Sequence, residues 1–313
     1  MDIQHLQYFV SVATHGSFTK AARECYVSQP TISKMIKSFE EELGVPLFNR
    51  AGKKIVLTDA GQAVFQQAQK TLKAFRQLTD AINDVAGLKK GKIRIGLPPM
   101  IGSRYFPRVI DEFHHAYPDI KIQLVEDVTR KVVHDVENGT LDLGAVVMPV
   151  DDEVFGHFSF VHDRLVLLVH PSHPLAGCSS VRLKQLKEEE FIFFHRDFAL
   201  HDQIIKECLK LGFMPNIIYE STQWDLICEL VASNLGVALL PSTICHAFNP
   251  ERVKIIHLEE PVLPWNLAII WPKHQYLSFA VKEWIRFTKH LFGRGIPPAV
   301  PQPEEAMKKE SEK

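Results

Sequence analysis

The sequence predicts an amino-terminal winged helix-turn-helix, all-α apart from a β wing, then a long linker helix and a carboxyl-terminal α/β domain. Three observations predict it. Three short stretches with helical spacing, each opened by a capping side chain, precede a hairpin in the first sixty residues; residues 59–86 run without proline and with near-heptad apolar spacing; from Lys92 onward, short β-rich stretches alternate with helical ones. A chain of 313 residues has the length of two or three compact units. Its 46% hydrophobic and 23% charged residues are those of an ordinary globular protein. The net charge of −1 averages two unlike parts: residues 1–91 carry 12 basic against 8 acidic side chains, and the remainder 24 against 29. A small basic module joined to a larger acidic one suits a nucleic-acid binder with a second task.

Asp2 caps a first helix in which Ile3, Leu6, Phe9, Val10 and Ala13 form one stripe, and Gly16 stops it. Ser17 caps a short second helix over residues 18–24, where Ala21 and Ala22 permit close packing. Ser28 caps the third, and Pro30 falls in its first turn, where a missing N–H costs nothing. On that helix Ile32, Met35, Ile36, Phe39 and Leu43 share one arc, and Gln29, Pro30, Ser33, Lys34 and Lys37 share the other. The second arc holds an amide, a hydroxyl and two ammonium groups with no acid before Glu40, which suits entry into a DNA major groove. Gln29 fits an adenine edge, Ser33 several bases, and Lys34 and Lys37 guanine edges or phosphate; Ser28 and Thr31 can hold a phosphate at the helix start. For a single helix, a merely solvated polar face is the plainer alternative. After Gly44, residues 45–57 read as two short strands about a turn at Ala51-Gly52, with Arg50, Lys53 and Lys54 at a basic wing tip.

The stretch from Leu6 to Gly61, with SFTKAARECYVSQPTISKMIKSFEEELGVPLFNRAGKKIVLTDAG at its heart, resembles the amino-terminal domain of LysR-type transcriptional regulators. The resemblance implies that Gln29, Pro30, Ser33, Lys34 and Lys37 face double-stranded operator DNA and that a basic wing residue enters the minor groove. The tip departs from many members in having Ala51-Gly52-Lys53, which leaves Arg50, Lys53 and Lys54 as alternatives for that contact. A contact with RNA polymerase is a further expectation for such a regulator.

Thr58 caps the linker helix over residues 59–86, a rod about 40 Å long at ~1.5 Å per residue. Its stripe packs either on its own domain or on a partner helix. The polar remainder, with Gln66, Gln67, Lys70, Lys73 and Arg76, favours a partner, so Val64, Ala68, Leu72, Phe75, Leu78 and Ile82 are the candidate dimer contacts. Family resemblance extends this to a homodimer or homotetramer. Residues 87–91, GLKKG, read as a flexible basic hinge.

Beyond it, strands are expected at residues 93–97, 120–125, 143–147, 158–160, 165–170, 191–194, 217–219, 236–240, 253–257 and 267–271, with helices near 105–117 and 128–138. Two open sheets fit the length. The phrases RIGLPPMIGSRYFPRVIDEFHHAYPDIKIQL, NGTLDLGAVV and SNLGVALLPSTI resemble the effector-binding domain of the same family, which implies the two-subdomain fold of periplasmic solute-binding proteins. The expected plan is a DNA-binding domain over residues 1–58, linker and hinge over 59–91, subdomain I over 92–162 and 267–296, subdomain II over 163–266, and a disordered Pro-rich, charged tail over 297–313.

In open α/β sheets, ligands settle beyond the carboxyl ends of strands, beside helix N-termini. Four loops qualify, and resemblance places the family's effector cleft at the same four. They carry Pro99, Met100, Ile101, Gly102 and Ser103; Val147 and Met148; His195 and Phe198; and Ser221, Thr222 and Gln223. Taken singly, each hydroxyl serves equally well as a helix cap. Together the hydroxyls, the amide and the backbone N–H groups are donors, so a small carboxylate is the expected effector, ahead of aromatic acids.

No G-x-x-x-x-G-K-S/T, G-x-G-x-x-G, G-x-S-x-G or H-E-x-x-H occurs, so neither an enzyme nor a cofactor is indicated. The fifteen histidines include His114-His115, His170/His173 and His195/His201, but none has a third ligand at supporting spacing, and no metal is expected. Five scattered cysteines without Cys-x-x-Cys indicate no disulfide framework and fit a reducing cytoplasm. Cys208 and Cys228 read as small core fillers, and Cys25, beside the third helix, keeps a redox-sensor alternative. No apolar run is long enough for a bilayer, so no membrane partner is expected. These readings converge on a transcription regulator controlled by a small-molecule effector; the alternative is a cytosolic or exported solute-binding protein without a transcriptional role.

Overall fold

A computed structural model describes residues 1–49, 55–86, 90–245 and 249–294. The chain divides into two compact units. The first holds Met1–Gly91 with the short segments Asn138–Thr140 and Tyr276–Phe279, and the rest of the described chain forms the second.

In the first unit, helix α1 (Ile3–His15) starts where the Asp2 carboxylate accepts the His5 N–H at 3.0 Å, and it ends on Gly16 at φ 56°, a left-handed conformation that glycine adopts without Cβ strain. Helix α2 (Phe18–Glu24) starts on Ser17 and α3 (Gln29–Leu43) on Ser28, whose hydroxyls accept the N–H groups of Lys20 and Thr31. Strands β1 (Phe48–Asn49) and β2 (Val56–Leu57) pair antiparallel as the wing. The expected turn at Ala51-Gly52 lies outside the described residues. Phe9 joins these parts, its ring 5.8 Å from Phe39, 5.3 Å from Phe48 and 6.4 Å from Phe65. Leu43, expected in this core, is instead exposed, because the chain turns away at Gly44.

Helix α4 (Asp59–Val85) starts on Thr58, whose Oγ1 accepts the Gly61 N–H at 2.9 Å. A Cβ on Gly61 would stand 2.0 Å from the Leu47 carbonyl oxygen, so this glycine lets the helix cross against the wing. The apolar stripe of α4 is divided. Ala68 and Leu72 are buried in the core that holds Leu6, Phe9 and Phe39, with Val64 and Phe65 packed against it, whereas Phe75, Leu78, Ile82 and Val85 are exposed. This corrects the assignment of Ala68 and Leu72 to a dimer seam: their own domain already covers them. Of the expected hinge, residues 87–89 lie outside the described residues, and Gly91 already belongs to a strand.

From Gly91 onward, and almost wholly in the second unit, come β3 (Gly91–Leu97), α5 (Pro99–Ala116), β4 (Ile120–Glu126), α6 (Thr129–Glu137), β5 (Leu143–Val147), β6 (Phe155–Val169), β7 (Ser180–Val181), β8 (Glu190–Phe194), α7 (Ala199–Lys210), β9 (Asn216–Ser221), α8 (Trp224–Ala232), β10 (Ala238–Pro241), α9 (Ser242–Cys245), β11 (Lys254–Leu258), β12 (Pro264–Pro272) and α10 (Phe279–Gly293). Where two strands were expected at residues 158–160 and 165–170, one fifteen-residue strand, β6, runs through. Its first part pairs with β12 and its last residues pair with β10 and β11, so β6 carries a single eight-stranded sheet across both subdomains. Two separate sheets were expected; besides the wing, the smaller sheet is the parallel pair β8–β9. Helix α5 also begins six residues earlier than residue 105, because Pro99 is a favoured first helical residue. The expected tail over 297–313 lies outside the described residues.

Candidate DNA interface and effector cleft

Helix α3 separates two chemistries. Ile32, Ile36 and Phe39 are fully buried, while Ser28, Gln29, Pro30, Thr31, Lys34 and Lys37 are exposed and Ser33 is half-buried. On the outer face Gln29 Nε2 donates to Ser33 Oγ at 2.7 Å, a bond that orients the amide. Lys37 lies 3.6 Å from Glu41 one turn on. Glu40 turns to the wing: its Oε1 accepts the N–H groups of Leu47 at 2.8 Å and Phe48 at 3.1 Å. The helix and the first wing strand are thereby held at a fixed angle. Arg50, Lys53 and Lys54 lie outside the described residues.

In the second unit, parallel pairing of β3 with β5 and of β8 with β9 brings the selected loops side by side in twos, Leu97 onward with Val147 onward, and Phe194 opposite Ser221. The His195 N–H donates to the Ser221 carbonyl at 2.9 Å. Phe198 is the cap residue of α7 and stacks on Phe194 at 5.1 Å, and Gln223 is the cap residue of α8. Three corrections follow from the helix starts. Pro99, Met100, Ile101, Gly102 and Ser103 are helical and not a loop, and Ile101 is buried in the core. Ser103 is no cap: it lies in the second turn, its hydroxyl 3.4 Å from the Met100 carbonyl it donates to. Ser221 closes β9, its Oγ accepting the Gln223 N–H at 3.0 Å, while Thr222 and Gln223 are exposed. Val147 and Met148 are half-buried, and the Met148 N–H donates to Asn266 O at 2.9 Å. His195 Nδ1 stands 3.0 Å from the Asp197 carboxylate, outside hydrogen-bond alignment.

Sequence reasoning passed over the loop after β4, although the same rule about strand ends selects it. Arg130, the second residue of α6, pairs there with Asp202 of α7. It also missed a hydrogen-bond network around Thr243 that joins α5, β6 and α9, which no local pattern signals. The Thr243 N–H and hydroxyl both donate to Asp163 Oδ2, at 2.9 and 2.8 Å, the Tyr105 hydroxyl lies 2.9 Å from Thr243 Oγ1, and Arg104 donates to the Thr243 carbonyl at 3.1 Å. Burial pushes the Tyr105 hydroxyl up. Burial likewise raises the thiols of Cys25, Cys208 (to about 11), Cys228 (to about 12) and Cys245. Among the described residues no group of three His, Cys, Asp or Glu is placed to hold a metal, and no helix is long and apolar enough to cross a membrane.

A helix-turn-helix with an oriented polar face, carried with a two-subdomain α/β domain of the ligand-binding kind, defines a DNA-binding protein with an effector domain. Residues 3–62 match the bacterial regulatory helix-turn-helix proteins of the lysR family, and residues 86–293 match the LysR substrate binding domain. The chain belongs to the LysR family of transcriptional regulators. It is 54% identical over 289 residues to an uncharacterized HTH-type transcriptional regulator, YwbI, of Bacillus subtilis (strain 168), covering 92% of this chain and 96% of that one. It is 30% identical over 254 residues to a hydrogen peroxide-inducible genes activator of Dickeya chrysanthemi, covering 81% and 82%. A full-length OxyR variant from Pseudomonas aeruginosa shares its fold with a TM-score of 0.70 at 26% identity, over 97% of this chain and 99% of that one.

Proposed function

We propose that this regulator binds a symmetric double-stranded operator as a homo-oligomer in the cytoplasm, and that a small organic anion in the cleft of the second unit sets its activity. The observation that carries the DNA half is the division of α3 into a fully buried face and an oriented, cationic, hydrogen-bonding one. Ser28, Gln29, Pro30, Thr31, Ser33, Lys34 and Lys37 are the contacts on α3, and Arg50, Lys53 and Lys54 are the candidates from the wing. Oligomerisation is supported by the exposed Phe75, Leu78 and Ile82 at one end of α4, and by an apolar groove of about 350 Å³ at the other, lined in part by the accessible Leu43, Ala63 and Val64. Two copies with antiparallel α4 helices bring each stripe to the other's groove. As a dimer or tetramer on the promoter it stands where RNA polymerase can be contacted.

The effector half rests on the helix starts. Helices α1 to α4 each have a side-chain cap, whereas α5, α7 and α8 begin at Pro98, Phe198 and Gln223 with none. These helices start just after the carboxyl ends of β3, β8 and β9, and a helix start favours an anion by about 0.3–1 kcal/mol. Met100, Met148 and Phe198 supply apolar walls that suit a short acid. The peroxide-inducible relatives bring a second reading, sensing by a reactive thiol. Thiols held at about 11 and 12 are neutral at physiological pH, and the thiolate is the nucleophile. Footprinting tests the proposal: a protected symmetric site is expected, its affinity falling linearly with log salt and its pattern changing with a small acid but not with hydrogen peroxide. Loss of peroxide response on Cys25→Ser or Cys178→Ser would instead establish the thiol reading.

A further inference from the structure

Arg130 sits just past the carboxyl end of β4, where an open α/β sheet receives ligands, and its guanidinium Nη2 pairs with the Asp202 carboxylate. Helix α6 follows β4, which lies in the sheet with β3 and β5, and α7 follows β8, which pairs with β9, so this ion pair joins the two subdomains. We infer that Arg130 is the anchor for the effector's carboxylate and that Asp202 is the place-holder which the effector displaces; the inference rests on the anionic-effector reading above.

Two features make the exchange physical. The side chains are 61% and 55% exposed, and an ion pair so open to water is weak enough to be replaced by a better-placed anion. A free carboxylate can approach the planar guanidinium with both oxygens, the bidentate geometry that arginine favours, whereas Asp202 is tethered to its own helix. The displaced Asp202 also keeps a second partner. His201 Nδ1 stands 3.3 Å from Asp202 Oδ1, and its Nε2 stands 3.6 Å from Glu220 Oε1 at the end of β9. The imidazole is packed edge-on against Phe193 at 5.7 Å and only 14% exposed, so it stays beside the carboxylate that Arg130 releases. Ligand entry therefore replaces a direct link between the subdomains by a ligand-bridged one, which changes their spacing.

Calorimetry of the full-length protein with acetate, pyruvate and succinate tests this. Arg130→Gln should weaken binding of whichever acid the wild type takes by ~10-fold or more, the worth of a charge-assisted hydrogen bond, and Arg130→Lys should recover part of the loss. Asp202→Asn should tighten binding by roughly 2- to 5-fold, because it removes the competing carboxylate. Urea midpoints are read alongside; if Arg130→Gln does not fold, Asp202→Asn decides. Unchanged binding by Arg130→Gln overturns the anchor and leaves the anionic reading standing. Unchanged or weaker binding by Asp202→Asn overturns the place-holder. If no acid binds either the wild type or Asp202→Asn, both the anchor and the anionic reading fall, and DNA recognition is untouched.

Discussion

Gln29 and Glu40 sit on one helix and do opposite work. Gln29 spends one N–H of its amide on Ser33 and keeps its carbonyl and second N–H outward, the pair of groups an adenine edge requires. Gln29→Ala should therefore relax discrimination at one base pair by about 1–3 kcal/mol, while Lys34→Ala should weaken all sequences alike and lower the salt slope by about one. Affinities for the operator and single-base variants across a salt series separate the two, and equal losses everywhere for Gln29→Ala would end its role as a base reader. Glu40, as an acid near a phosphate backbone, would oppose binding if it faced DNA. It faces the wing, and Glu40→Ala leaves two N–H groups without their acceptor. The expected cost is about 1–3 kcal/mol, read as a lower midpoint in thermal unfolding followed at the first unit.

Helix α4 shows how one stripe serves two neighbours. Leu72→Asp places a carboxylate in a core where it has no partner, and the first unit should unfold or lose several kcal/mol. Leu78→Asp, on the exposed half, should keep the helical circular dichroism and shift sedimentation toward smaller species. Identical outcomes for the two variants would show that the helix is not divided in this way. The caps at Asp2, Ser17, Ser28 and Thr58 were legible in the sequence because a helix start is decided by hydrogen bonds within one turn. The start of α5 was not, since Pro99 reads equally as a turn or as a first helical residue, and the burial of Ile101 in the core favours the helix.

The pH response belongs to the whole second unit. Folded-state values raised by burial, to about 11 for Cys208 and about 12 for Cys228 and upward for Tyr105, favour the folded state while these groups are neutral. That stabilisation is fully present below their ordinary values, near 9 and 10, and is lost as pH rises through the raised ones. Urea midpoints of the second unit should fall between about pH 9 and 12, and less steeply in Cys208→Ala; a flat profile would contradict the burial of these groups. The sequence by itself determined the three amino-terminal helices and their caps, the polar arc of α3 and the places of most strands, because each depends on residues within a turn or two of one another. Tertiary structure alone decided which half of the α4 stripe its own domain covers, the fusion of two expected strands into β6, and the pairing of Arg130 with Asp202. Those depend on which surfaces meet across 30 to 100 residues of chain, and a periodic pattern records that a face is apolar or charged without recording what lies against it.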